Sequence, residues 1–193
     1  MRRGTVSSVS SSRVEFTLHE ELGQDLDESA HLLISVFKFD RFEWAVEKVT
    51  ELGATRITPV IAHHTDVHLA RAAVKRVERW RRIAREAAQQ SRRPRIPTID
   101  DPCKLGDGLC SFVSGSRLVL AESEREASLA DFLYSSAVQS PLVIAVGPEG
   151  GWTPQELSDF SGSGWKSVSL GRRILRAETA VITAMALVGG RFC

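Results

Sequence analysis

Two stretches of this chain set reactive side chains among glycines. Gly147-Pro148-Glu149-Gly150-Gly151 follows the apolar run Leu142–Val146, and Gly171-Arg172-Arg173-Ile174-Leu175-Arg176 follows Ser169-Leu170. Val143, Ile144 and Val146 are β-branched and lack polar alternation, the pattern of a strand covered on both faces. Bare backbone at the carboxyl end of such a strand lets amides approach a ligand closely. A tight strand-to-helix turn needing positive φ explains the first stretch equally well. His63, His64 and His68, with Asp66 among them, are of metal-binding type, but their spacing fits no zinc pattern, and no metal is expected. The chain has no Gly-x-Gly-x-x-Gly fingerprint, no Walker loop, and no serine or cysteine in a nucleophile elbow.

The elements that must hold these loops can be read from periodicity. Strands are predicted at 32–37, 57–61, 118–121, 142–146 and 167–170. Between them helical spacing predicts helices from Phe42 to a stop at Gly53, and over 72–90, 128–134, 153–160 and 178–188. Thr153-Pro154-Gln155-Glu156 carries an N-cap, a proline at the first helical position and a capping box. The alternation argues for an α/β fold, a parallel sheet with helices on both faces. Residues 5–18 suggest a hairpin, and the polar segment 23–30 a linker, so a small unit over 1–28 and a main domain over 29–193 are expected.

Composition narrows the class. With 42% hydrophobic and 25% charged residues the chain is that of an ordinary globular protein. It has no run of about 18 apolar residues and no secretory apolar core near the start, so no membrane association and a cytoplasmic location are expected. The 3 cysteines suggest neither a disulfide frame nor a zinc site. The net charge of +1 conceals a local imbalance: from Arg71 to Arg95 ten basic residues face two acidic ones. Trp80 stands among Arg79, Arg81 and Arg82, a mixture suited to phosphate contacts with a stacking surface, although a solvated arginine-rich helix has the same composition. Lys38, Arg79, Arg82, Arg85, Arg92 and Arg93 are the RNA-binding candidates.

Four segments in order, "KFDRFEWAVEKVTELGATRITPV", "RWRRIAREAAQQSRRPRIP", "VIAVGPEGGWTPQEL" and "LGRRILRAETAVITAMALV", resemble the small-subunit ribosomal RNA uridine N3-methyltransferase (RsmE) family of the SPOUT superfamily, over about residues 32–190. The resemblance implies a C-terminal trefoil knot, a homodimer, an S-adenosyl-L-methionine cofactor, and ribosomal RNA or the small ribosomal subunit as partner. The activity it implies is methylation of uridine N3 in 16S ribosomal RNA. A noncatalytic RNA-binding protein of the same fold, or a methyltransferase with another RNA target, are the alternatives. Family members carry an N-terminal PUA-like β-barrel, and "RRGTVSSVSSSRVEFTLHEEL" resembles only its final strands, so a shortened form is expected. Arg172 stands where the family pattern has proline, Ala177 where threonine is frequent, and "HHTDVH" in place of a Glu-Arg-Ser-like stretch.

By the same resemblance the cofactor site draws on Leu120 and Glu122, on Gly147, Pro148, Glu149, Gly150 and Gly151, and on Leu170, Gly171, Ile174, Leu175, Arg176, Thr179 and Ala180. Uridine N3 must lose a proton before it attacks, so an arginine to stabilise the anion or a carboxylate to take the proton is required. Arg176, then Glu149 and Glu178, are the catalytic candidates.

Overall fold

The computed structural model describes residues 2–21, 30–135 and 138–191. The first described stretch is a two-stranded antiparallel hairpin of β1 (Arg2–Val9) and β2 (Val14–Glu21). Ser10 closes its turn by donating its N–H to the Arg13 carbonyl at 2.8 Å. Gly4 pairs with Leu18 and Val6 with Phe16, so Val6, Phe16 and Leu18 lie on one exposed face. The predicted boundary at 28 and residues 23–29 of the predicted linker lie outside the described residues, whereas Ala30, the last residue of that linker, already belongs to the next strand.

The remainder is built on a parallel sheet. Its strands are β3 (Ala30–Ser35), β4 (Arg56–Ile61), β5 (Thr98–Ile99), β6 (Cys103–Lys104), β7 (Ser116–Leu120), β8 (Leu142–Val146) and β9 (Lys166–Val168). The order is β5-β4-β3-β8-β7-β9, with β6 also on the outer edge of β4, and every pairing is parallel. Alternate residues of the central strands feed two separate cores. Leu32 and Ile34 of β3 and Leu142, Ile144 and Val146 of β8 face one core, packed by α1 (Phe39–Glu51), α3 (Val77–Gln90), α5 (Leu129–Tyr134) and α7 (Ala177–Arg191). Leu33, Val143 and Ala145 face the other, with α4 (Leu105–Cys110) and α6 (Pro154–Gly162). Every residue of β8 is therefore buried, which explains its unbroken apolar sequence.

The helix expected over 72–90 is built differently. Asp66 accepts hydrogen bonds from the N–H groups of His68 and Leu69, so α2 (Val67–Ala73) starts earlier, and a 3-10 turn at Val74–Arg76 separates it from α3. Trp80 is a correction to the sequence reading: it is fully buried, 4.6 Å between ring centroids from Phe42, and offers no stacking surface. The apolar stripe Val77, Trp80, Ala84, Ala87, Ala88 required it inside. Helix α4 was not anticipated because Gly106 and Gly108 argue against a helix. A Cβ on Gly108 would come within 2.9 Å of Val60 Cγ1 and 3.1 Å of Leu33 Cδ1, so glycine lets this short helix lie close on the sheet.

Candidate functional site

Strands β8, β7 and β9 are neighbours and parallel, so their carboxyl ends emerge side by side. In parallel sheets this is where ligands bind. Three loops meet there around a cavity of about 840 Å³. After β7 come Ala121, Glu122, Ser123 and Arg125; after β8 the glycine loop Gly147–Trp152; after β9 the segment Ser169–Arg176, leading into Ala177 and Ala180 of α7.

Local chemistry fixes each loop. Gly151 has φ +68°, a conformation costly for residues with a side chain, and donates its N–H to the Pro148 carbonyl at 2.9 Å. The Trp152 indole N–H donates to the Leu120 carbonyl at 3.1 Å, tying the second loop to the end of β7, and its ring packs edge-on against Phe160. Thr153 caps α6 as the sequence predicted: its hydroxyl accepts the Glu156 N–H while the Glu156 carboxylate accepts the Thr153 N–H at 2.8 Å. In the first loop the Glu124 carboxylate accepts the N–H groups of Glu126, Ala127 and Arg125, which holds it below the usual carboxylate range. Gly171, at φ +107°, turns the third loop. The backbone N–H groups of 170–176 make no hydrogen bond to any described residue.

The glycines serve different ends. A Cβ on Gly147 would sit 3.2 Å from the Trp152 indole, and one on Gly150 would sit 3.0 Å from His64 Cβ and Cγ. These two clear space for neighbouring side chains of the chain itself, whereas the sequence reading had them clear space for a ligand. Gly151 and Gly171 are needed for their φ.

Leu120, Glu122, Gly147, Pro148, Glu149, Gly150, Gly151, Leu170, Gly171, Ile174, Leu175, Arg176 and Ala180 all line the cavity. Thr179 does not; it is exposed on the first turn of α7. Among the catalytic candidates, Arg176 and Glu149 are exposed at the cavity. Glu178 is buried outside the lining, its Oε1 3.7 Å from Arg41 Nη1, because it points from α7 toward α1. Trp152 and Arg125 were missed: the tryptophan reads as a core residue, and the arginine sits in a loop without a motif.

The RNA candidates divide. Arg82 and Arg85 are exposed and form no ion pair with a described residue. Arg79 Nε lies 2.7 Å from Glu43 Oε1. Arg92 is exposed at φ 57°, and Lys38 is exposed just before α1. Arg93 is structural: its guanidinium donates to the carbonyls of Thr50, Ala54 and Gly53 at 2.7, 2.8 and 3.1 Å, capping the end of α1. Among the described residues no group of three metal-ligating side chains exists; His64 Nδ1 lies 3.0 Å from the Gly151 carbonyl oxygen, Asp66 accepts the His68 N–H, and His63 meets Glu156 Oε1 through its backbone N–H.

A parallel sheet with a pocket built from three carboxyl-end loops defines the class, and the model of the RNA methyltransferase domain family matches residues 24–189. The chain is 38% identical over 159 residues to ribosomal RNA small subunit methyltransferase E of Synechocystis, covering 81% of this chain and 52% of that protein. It is 33% identical over 191 residues to the Bacillus subtilis protein of the same name, covering 95% of this chain and 75% of the relative. Among solved structures, ribosomal RNA small subunit methyltransferase E from Neisseria gonorrhoeae, bound to S-adenosyl methionine, superimposes with a TM-score of 0.81 at 32% identity, over 95% of this chain and 75% of that one. The chain belongs to the ribosomal RNA small subunit methyltransferase E family. The resemblance read in its sequence is borne out.

Proposed function

We propose that the protein transfers a methyl group from S-adenosyl-L-methionine to N3 of a uridine in 16S ribosomal RNA of the small subunit. The observation that carries this reading is the meeting of the three loops in one cavity. The cavity fits the cofactor. Its volume of about 840 Å³ is in the range of small-molecule sites. Leu120, Leu157 and Ile174 offer apolar surface to a flat base, and Glu122 offers a carboxylate to ribose hydroxyls. The uncommitted N–H groups of 170–176 supply donors for ring nitrogens or a carboxylate.

When bound, S-adenosylmethionine supplies a methyl group on a sulfonium, already activated for transfer. The chain's own residues have the task of binding, aligning and ionising the uracil. Arg176 at the cavity places a permanent cation where negative charge develops on the uracil, and Glu149 is the carboxylate available to take the N3 proton. Glu178 is held by Arg41 away from the cavity and fixes the start of α7 against α1.

The finer parts of the reading belong to the same proposal. The chain is a cytoplasmic homodimer whose segment after β9 is threaded as a trefoil knot of SPOUT type. Residues 1–28 belong to a PUA-like β unit and 29–193 form the methyltransferase domain. The hairpin of β1 and β2 is consistent with strands of such a unit, and no described helix is long and apolar enough to cross a membrane. Calorimetry with S-adenosylmethionine, followed by mass spectrometry of small-subunit RNA from cells lacking the gene, tests the function. Absence of binding heat, or an unchanged set of methylated uridines, overturns it.

A further inference from the structure

We infer that His64, in the loop joining β4 to α2, is a positioning residue that braces the glycine loop of the pocket from outside the lining. The inference rests on the proposed cofactor reading only for its consequence, not for the brace itself. The loop is anchored at its base: Thr65 Oγ1 accepts the Ala62 N–H at 3.0 Å and lies 3.1 Å from Ser35 Oγ at the end of β3. Asp66 anchors its far end by capping α2.

Between these anchors the backbone of His63 reaches α6 and the ring of His64 reaches the glycine loop. The His63 N–H donates to Glu156 Oε1 at 2.8 Å, while Glu156 Oε2 accepts the Thr153 N–H and lies 3.1 Å from the Thr153 hydroxyl. One buried carboxylate thus joins the β4–α2 loop to the start of α6. His64 Nδ1 lies 3.0 Å from the Gly151 carbonyl oxygen. A carbonyl only accepts, so Nδ1 carries the proton. The same ring covers Gly150, where an added Cβ would stand 3.0 Å from His64 Cβ and Cγ. Gly151 is therefore held on both sides, its N–H by Pro148 and its carbonyl by His64. Gly150 and Gly151 line the cavity and His64 does not. A side chain in that place affects the pocket only by setting the path of the backbone that walls it.

The test compares the wild type with His64→Ala and His64→Asn, since the asparagine amide offers an N–H near the place of Nδ1. Hydrogen–deuterium exchange of the free proteins is expected to be faster over residues 147–153 in His64→Ala and near wild type in His64→Asn. S-adenosylmethionine affinity by calorimetry is expected to fall roughly three- to tenfold in His64→Ala, the worth of about one hydrogen bond, and to recover in His64→Asn. RNA affinity by filter binding should be equal in all three. Unchanged exchange in His64→Ala overturns the brace. Faster exchange with undiminished cofactor affinity overturns its role in the pocket. If the wild type itself binds no S-adenosylmethionine, the proposed function fails, while the exchange and its rescue still decide whether the brace exists.

Discussion

At Gly147 the missing side chain makes room for a tryptophan, which gives the residue a role that can be separated from ligand binding. Gly147→Ala presses a methyl group against the Trp152 indole at 3.2 Å and strains the hydrogen bond from that indole to the Leu120 carbonyl. Overpacking of this kind costs about 1–3 kcal/mol, so the urea midpoint of the cofactor-free protein should fall. A midpoint equal to wild type would return the glycine to the ligand. A second residue-scale prediction concerns His31. Burial pushes its imidazole below the ordinary value of 6.5, the Arg56 guanidinium adds to the effect, and Asp100 opposes it. Above pH 6.5 the ring is neutral folded or unfolded. As pH falls through 6.5 the unfolded chain takes up the proton first, so stability is lost until the lowered folded value is reached. Urea midpoints at about pH 7 and about pH 5 should differ more for wild type than for His31→Gln; an equal difference in both proteins would show that other groups govern the acid limb. None of this was legible beforehand. The sequence marks a glycine but not what its Cβ would strike, and a histidine but not the arginine that a parallel strand places beside it.

Single elements were legible where one face is apolar and the ends carry their own chemistry. Helix α6 shows this best, because Thr153, Pro154 and Glu156 satisfy its first turn within four residues. Helix α3 was legible at its end, Gln90, but neither in its start nor in the use of its charges. Ion pairing with Glu43 engages Arg79, and Arg93 caps α1, so within the basic block the exposed Arg82 and Arg85 are the pair best able to meet phosphates. The double variant Arg82→Ala, Arg85→Ala should weaken RNA binding across unrelated sequences and flatten the dependence of log affinity on log salt by roughly 0.7 per lost phosphate contact. S-adenosylmethionine affinity should not change. Arg93→Ala should act differently, lowering the unfolding midpoint because three carbonyls at the end of α1 lose their donor. If the double variant keeps the wild-type salt slope, these two arginines form a solvated face and RNA docks elsewhere.

At the scale of the whole molecule, the buried strands β3, β4, β7 and β8 declared a parallel sheet, and the fold follows from them. Which strand ends become neighbours was not legible, since the order β8-β7-β9 depends on contacts between residues far apart in sequence. The proposed dimer belongs to this scale, and the structure changes its argument. The small residues of α7 would suit a helix pressed against a second copy, yet Ala177, Val181, Ala184, Met185 and Val188 are buried within the one chain. What the adjoining helix leaves in solvent is Trp44 of α1, 48% exposed. Exposed tryptophan is a frequent anchor of protein interfaces, where its burial in a partner contributes much of the binding energy. A stable dimer buries about 800 Å² per partner, and a charge at its centre would be left without a counterion. Light scattering of the wild type should therefore give twice the chain mass of 21.2 kDa, and Trp44→Glu should give the single mass with unchanged circular dichroism. A wild type of 21.2 kDa at micromolar concentration removes the dimer from the proposal. A Trp44→Glu protein that stays dimeric moves the interface off α1.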